Sequence, residues 1–405
     1  MKQLNRIKLT VRKTYCYIIF TMKHYLILLI AVFLFSCTNK NTVDMSDNHL
    51  WTIDVTKEYP VKDICLQDIA DIEYIPLETK DSCLWWGREL KYMDEHYIIG
   101  ANANVGVNIH DRTGKILQSF HHKGGGPEEY RGFTRVCYDK ESDEMQLMCS
   151  DNKYLIYDSR GNYKRQFKST YELVIKGNDY KSNYVRHFFI LNETEFVECL
   201  TQNYYLRRSR QNGENLGEIK LPSKDSTLTL MFRQNGMLLN TDVTCHTKDE
   251  NGYILTACSS DTIYLLTRDL QLKPVGVRTP PVSTMEVPVF LFPAKSATRY
   301  FFTYTVKKDP FFPRKLYMLD KKENKIYYLK NLFHNKDWEG KTHGLDIYGC
   351  ASWADFPPNV IVECLDASKL CEAYENGELR GELKEIAKNI KADDNPVLMV
   401  VKFKE

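Results

Sequence analysis

The longest apolar run in this 405-residue chain, Leu26–Phe35, has only ten residues. As a helix it would rise about 15 Å, roughly half a bilayer, which argues against a permanent membrane span and leaves an uncleaved signal anchor as the alternative to a cleaved signal. No Cys-x-x-Cys pair occurs, which removes zinc ribbons and dithiol redox motifs. No Gly-x-Ser-x-Gly elbow is present, and serines such as Ser259-Ser260 have no placed histidine and aspartate. Gly124-Gly125-Gly126-Pro127 lacks the Lys-Ser/Thr and the following helix that a phosphate-cradling loop needs. The net charge is only +2, from 55 Lys and Arg against 53 Asp and Glu, which argues against a nucleic-acid partner. His121-His122 and Cys245-His246 are adjacent pairs, and neighbours on a strand point to opposite faces, so neither chelates one ion alone. The expected metal and cofactor complement is therefore none, although sites assembled from distant positions leave no trace in one sequence.

What is present begins with that short apolar run. Lys23 and His24 precede it, Ser36 ends it and the polar Thr38–Asn41 follows, the pattern of a secretory signal. Leu34-Phe35-Ser36-Cys37 resembles the bacterial lipobox, whose cysteine is acylated and becomes the new N-terminus. On this reading residues 1–36 are signal peptide, with Met22 an alternative start, Cys37 carries lipid, and 37–68 form a tether. Of the twelve cysteines, Cys16 leaves with the leader and Cys37 is lipidated. Cys137, Cys149, Cys199, Cys258 and Cys364 sit in apolar strand patterns, where a thiol acts as a small buried hydrophobe. Cys137 and Cys149 occupy the two arms of one hairpin, so a disulfide and two separate thiols are both open there.

A repeat dominates the rest. Val107–Phe120 aligns with Tyr154–Phe167 at an offset of 47, matching Ile109/Ile156, Asp111/Asp158, Gly114/Gly161 and Phe120/Phe167 without a gap. The pattern is a strand, a tight turn with glycine where positive φ is needed, and a returning strand. Further copies run from Tyr205 to Gly213, from Ile263 to Val275 without the glycine, and from Leu316 to Leu329 with Asn324 at the turn. Asparagine tolerates the left-handed region almost as well as glycine. Each copy follows another strand pair, so the unit is four strands and the period near fifty, as in propeller blades. Residues 69–405 hold six such blades. Ile72–Leu77 and Pro396–Phe403 are apolar strands at the two ends, suited to closing the ring and hiding its edge. Between them, Leu379, Leu383, Ile386, Ala387 and Ile390 recur at helical spacing, so 366–394 is read as a helical insertion in the last blade. The fold class is all-β, a six-bladed β-propeller with a small helical insertion.

The order of lipobox, Tyr74-Ile-Pro-Leu-Glu-Thr79, Lys123-Gly-Gly-Gly-Pro-Glu-Glu-Tyr130, a late helix and Asn395–Lys404 resembles the six-bladed β-propeller lipoproteins of Bacteroides and relatives, which are similar to NHL-repeat propellers. The resemblance implies an outer-membrane lipoprotein of the cell envelope. Surface-bound relatives carry an acidic cluster just after the cysteine; here only Asp44 and Asp47 occur, some way downstream, which leans towards the periplasmic side. It also leaves a rival: propeller hydrolases and lyases of the gluconolactonase-like type hold a divalent metal in the central channel.

Where innermost strands begin, Arg135, Arg186-His187 and Arg299-Tyr300 recur, with Asp242 and Asp346–Tyr348 at two other blades. Three guanidiniums at one channel mouth would suit carboxylates, and Tyr300, Tyr348 and Trp353 would suit sugar rings. Local pairing of each arginine with a loop carboxylate is the plainer alternative. The leading reading is a ligand- or protein-binding scaffold, with an anionic glycan or an envelope protein as partner, rather than an enzyme.

Overall fold

A computed structural model of the protein describes residues 50–405 apart from 82, 86–88, 152, 169–184, 202–203, 223–228, 236, 240, 242, 244, 331–332, 341, 344, 346 and 348–353. Cys37 and the leader, and likewise Asp242, Asp346, Tyr348 and Trp353, lie outside the described residues. Within 50–405, six sheets follow one another around an axis as the blades of a β-propeller. Blade 1 comprises Leu90–Met93, Tyr97–Asn102, Gly106–Asp111 and Ile116–Phe120, paired in that order. Blade 2 runs from Phe133–Asp139 through Glu144–Cys149 and Lys153–Tyr157 to Tyr163–Lys168. Blade 3 is His187–Ile190, Glu195–Thr201, Tyr204–Ser209 and Asn215–Ile219. His246–Asp249, Gly252–Leu255, Thr262–Thr267 and Leu272–Thr279 make blade 4. Blade 5 is Val289–Ser296, Tyr300–Lys307, Arg314–Asp320 and Lys325–Leu329. The first strands of blades 1 and 2, of blades 2 and 3, and of blades 4 and 5 pack beside one another.

Blade 6 closes the ring. Val360–Leu365 pairs with Val397–Phe403, which pairs with the N-terminal strand Ala70–Pro76 in continuous antiparallel register from Val397↔Pro76 to Phe403↔Ala70. Its innermost position is taken by the segment around Asp355, whose amide donates to the Lys91 carbonyl while the Met93 amide donates back to the Asp355 carbonyl. The insertion between the second and third strands holds two helices, Ala367–Glu375 and Gly381–Ala387, split at Gly377. Asp366 caps the first helix by accepting from the Lys369 amide. Residues expected as tether pair much earlier than position 68: Trp51–Asp54 adds a parallel fifth strand to blade 4.

The repeat has a physical cause. Asp111 Oδ1 accepts from the amides of Thr113 (2.8 Å) and Lys115 (3.1 Å), and Asp158 Oδ1 does the same for Arg160 (2.9 Å) and Asn162 (2.8 Å). The aspartate thus ties the turn and the glycine follows at φ +84 or +86. That glycine also touches the preceding blade: a Cβ on Gly161 would meet Phe120 at 2.7 Å, and one on Gly213 would meet Phe167 at 2.4 Å. The glycines of blades 2 and 3 thus seat on the last phenylalanine of the blade before, whereas Gly114 of blade 1 seats on the Pro76 backbone of the closing strand.

The β-strand register also decides the cysteines. Cys149 lies opposite Phe133 and Cys137 opposite Gln146, so the two do not face each other, and no disulfide joins the described cysteines. The glycine-rich segment connects blade 1 to blade 2 and is closed on itself, since the Gly126 amide donates to Glu129 Oε2 (2.8 Å) and the Glu129 amide to the Gly126 carbonyl. His122 is structural as well: its Nε2 lies 2.8 Å from the Gly161 carbonyl and its ring stacks on Tyr157.

Candidate functional site

The channel is formed by first strands, which alternate their side chains between the axis and the blade faces. A cavity of about 50 Å³ opens there, walled by Arg135, Phe188, Phe189, His246, Lys248, Tyr253, Lys295 and Asp355 among others. This is room for a few waters or one acid group, and the cavity is open to the outside. Its lining carries three cations, Arg135, Lys248 and Lys295, against one carboxylate, Asp355.

The contacts fix these groups. Lys248 Nζ lies 2.6 Å from Asp355 Oδ1, bridging blades 4 and 6. Lys295 Nζ donates to the Pro357 carbonyl at 2.8 Å. Arg135 Nε donates to His187 Nδ1 at 3.3 Å, which makes His187 an acceptor there. The His187 ring meets His246 edge-on at 5.7 Å, and His246 rests against Phe189 and Tyr253, which are themselves stacked at 3.9 Å.

Two titratable groups near Arg135 are shifted, chiefly by burial. Burial pushes the His246 imidazolium down to about 4, and the charge of Arg135 adds to the shift. Burial likewise pushes the Lys91 ammonium down to about 8, again with Arg135 contributing and Glu89 opposing. His246 is therefore neutral near pH 7, and the positive character of the channel rests on lysine and arginine.

Of the side chains expected to converge, the structure brings Arg135 and His187 together and separates the rest. Arg186 precedes the first strand of blade 3, on the opposite side from His187, and its charge acts on the thiols of Cys245 and Cys258. Arg299 and Tyr300 open the second strand of blade 5, because the innermost strand is the apolar Val289–Ser296. Arg299 is bidentate to Asp320 (2.8 and 3.2 Å) and lies over the Tyr300 ring, which is buried towards Phe403. The plainer alternative of local pairing holds for Arg299. Tyr348 and Trp353 lie outside the described residues. Lys91, Lys248, Lys295 and Asp355 were not anticipated; the available signal was a single lysine within an otherwise buried run, as in Leu90–Met93 and Val289–Ser296.

Among the described residues no group of three or more His, Cys, Asp or Glu is placed to share a metal ion, and no helix is long and apolar enough to cross a membrane.

Residues 50–277, more than half of the chain, match the family described as a domain of unknown function, DUF4934. No curated protein matches the chain. Among solved structures it is similar to a "Putative exported protein" of Bacteroides fragilis, at 13% identity over 88% of this chain and 100% of that chain with a TM-score of 0.58. A member of the DUF4221 family from Bacteroides vulgatus is 12% identical over 83% of this chain and 97% of that chain, with a TM-score of 0.44. The first of these likenesses extends to the fold alone.

Proposed function

The chain belongs to the DUF4934 family, and from that premise we propose that it is an exported, non-catalytic binding module whose propeller channel takes the acid group of an anionic ligand. The observation that carries this reading is the channel lining of Arg135, Lys248 and Lys295 against the single carboxylate of Asp355. A guanidinium and ammonium groups held at fixed positions in a largely apolar wall suit a carboxylate or a phosphate. An acid group would sit in the cavity, with the remainder of an acidic glycan extending across the channel mouth.

Export and attachment are part of the same reading. The leader and Cys37 fit a lipoprotein of the outer membrane, facing the periplasm, and a relative in fold is named as an exported protein. An NHL-like ancestry accords with the blade count and goes no further. The rival, a metal-dependent hydrolase or lyase in the channel, needs several oxygen or imidazole donors meeting at one point, whereas the charged groups of the described lining are three cations and one carboxylate.

Calorimetric titration of the chain with an oligogalacturonate and, separately, with inorganic phosphate tests the proposal. Arg135→Ala combined with Lys295→Ala is expected to lower affinity by about tenfold or more, the loss of charge-assisted hydrogen bonds. Arg299→Ala is expected to leave affinity unchanged. Equal binding by the wild type and the double variant, both folded by circular dichroism, would overturn it.

A further inference from the structure

Away from the channel, the sequence Lys307-Lys-Asp-Pro-Phe-Phe-Pro-Arg-Lys315 forms the turn between the second and third strands of blade 5. Its two phenylalanines are treated oppositely. Phe312 adopts φ +46, a conformation costly for a bulky residue, and turns inward against Phe232 at 5.7 Å. Phe311 is left 89% exposed, the most exposed large apolar residue among those described. A turn that strains one aromatic to hold its neighbour in water is not explained by packing.

Two further loops are tied to this one. The Lys308 amide donates to the Pro288 carbonyl (2.8 Å), bringing in the connection between blades 4 and 5 and its exposed Val287. Phe232, and a hydrogen bond from Arg314 to Thr241 Oγ1 (3.1 Å), bring in the hairpin Phe232–Gln234 and Met237–Leu239, where Met237 is 66% exposed. Three apolar tips thus share one end of the molecule. The charge around them is biased: Arg233, Lys307, Lys308, Arg314 and Lys315 are five cations, against Glu286 and Asp309 as two acids. In a chain whose net charge is only +2, that is a local excess of three.

We propose that these three loops form a prong that seats in the headgroup layer of an anionic phospholipid bilayer. Separate tips, each carrying one apolar side chain, match a fluid surface that admits them individually. A protein partner would require some 800 Å² of complementary surface per side. Lysine stems lie along apolar material while their ammonium groups stay with the phosphates, and aromatic rings favour the same interfacial depth. Each basic residue near an anionic surface adds attraction that salt removes. The prong would set how the propeller sits on the membrane, independently of the lipid on Cys37.

The test uses the full chain carrying Cys37→Ser, so that no acyl chain contributes; the leader's apolar run is common to every variant, and differences between variants read the loops. Sedimentation is measured with vesicles of phosphatidylcholine alone and with added phosphatidylglycerol. Phosphatidylglycerol is expected to increase binding, 0.5 M salt to reverse that increase, and Phe311→Ser to weaken binding about tenfold. Lys307→Gln with Lys308→Gln is expected to abolish the preference for phosphatidylglycerol. Lys307 is exposed and Lys308 half-buried over the Phe232 ring, and unchanged melting confirms that the variants fold. Equal sedimentation of wild type, Phe311→Ser and the lysine variant would overturn the proposal and leave the tips to a protein partner. Such a result would not touch the channel reading, which is measured with soluble anions.

Discussion

Burial pushes the Lys91 ammonium down to about 8, with Arg135 adding to the shift and Glu89 opposing it. Its charge is therefore present at pH 7 and lost as pH rises through about 8. Lys91 stands outside the cavity lining but within the field of Arg135, so an anion there favours its charged form through space, and the anion's affinity is expected to fall modestly between pH 7 and pH 9. Stability carries the opposite sign. Between about 8 and the ordinary value of 10.5, the unfolded chain holds more protons at this group than the folded one, so its contribution rises with pH across that window. Calorimetry and melting on one set of buffers should show affinity falling where this contribution to stability rises. Lys91→Met, which keeps the stem and removes the charge, should flatten the affinity profile above pH 7. His246, held down to about 4, should contribute nothing to it in that range. At Cys37, loss of the thiol should convert a protein that needs detergent for extraction into one that high salt releases, as membrane fractionation of Cys37→Ser would show.

At the scale of the element, the joint between blades depends on the aspartate-tied turn and its glycine. Gly161→Ala would force a Cβ towards the Phe120 ring at φ +86, and is expected to cost on the order of 1–3 kcal/mol in urea unfolding. Gly125→Ala, where a Cβ meets nothing within 4 Å, is expected to cost far less. This joint is why the architecture was legible. Asp111, Gly114 and Phe120 recur as Asp158, Gly161 and Phe167, and the turn survives where glycine is absent, through Leu270 at φ +69 and Asn324 at φ +50. The closing strands were legible because both are apolar and neither has another partner in the repeat. The channel was not. Whether a side chain on a first strand faces the axis depends on register, which a one-residue slip inverts. Reading Arg299-Tyr300 as the start of an innermost strand missed that Val289–Ser296 already occupied that position, and so put a salt bridge with Asp320 in place of Lys295.

For the molecule as a whole, the ring closed by Ala70–Pro76 against Val397–Phe403 gathers residues of blades 2 to 6 around one cavity, where Lys248 of blade 4 meets Asp355 of blade 6. A rigid ring with a cationic axis, and prongs at one end, is suited to presenting a fixed recognition surface. Whether an anion resides on that axis can be read from anomalous diffraction by crystals of the chain soaked in selenate, a heavy-atom oxyanion. A selenium peak is expected within hydrogen-bonding reach of Arg135 and Lys295, absent in crystals of the Arg135→Ala, Lys295→Ala variant. Selenate bound elsewhere on the surface, with none in the channel, would contradict it.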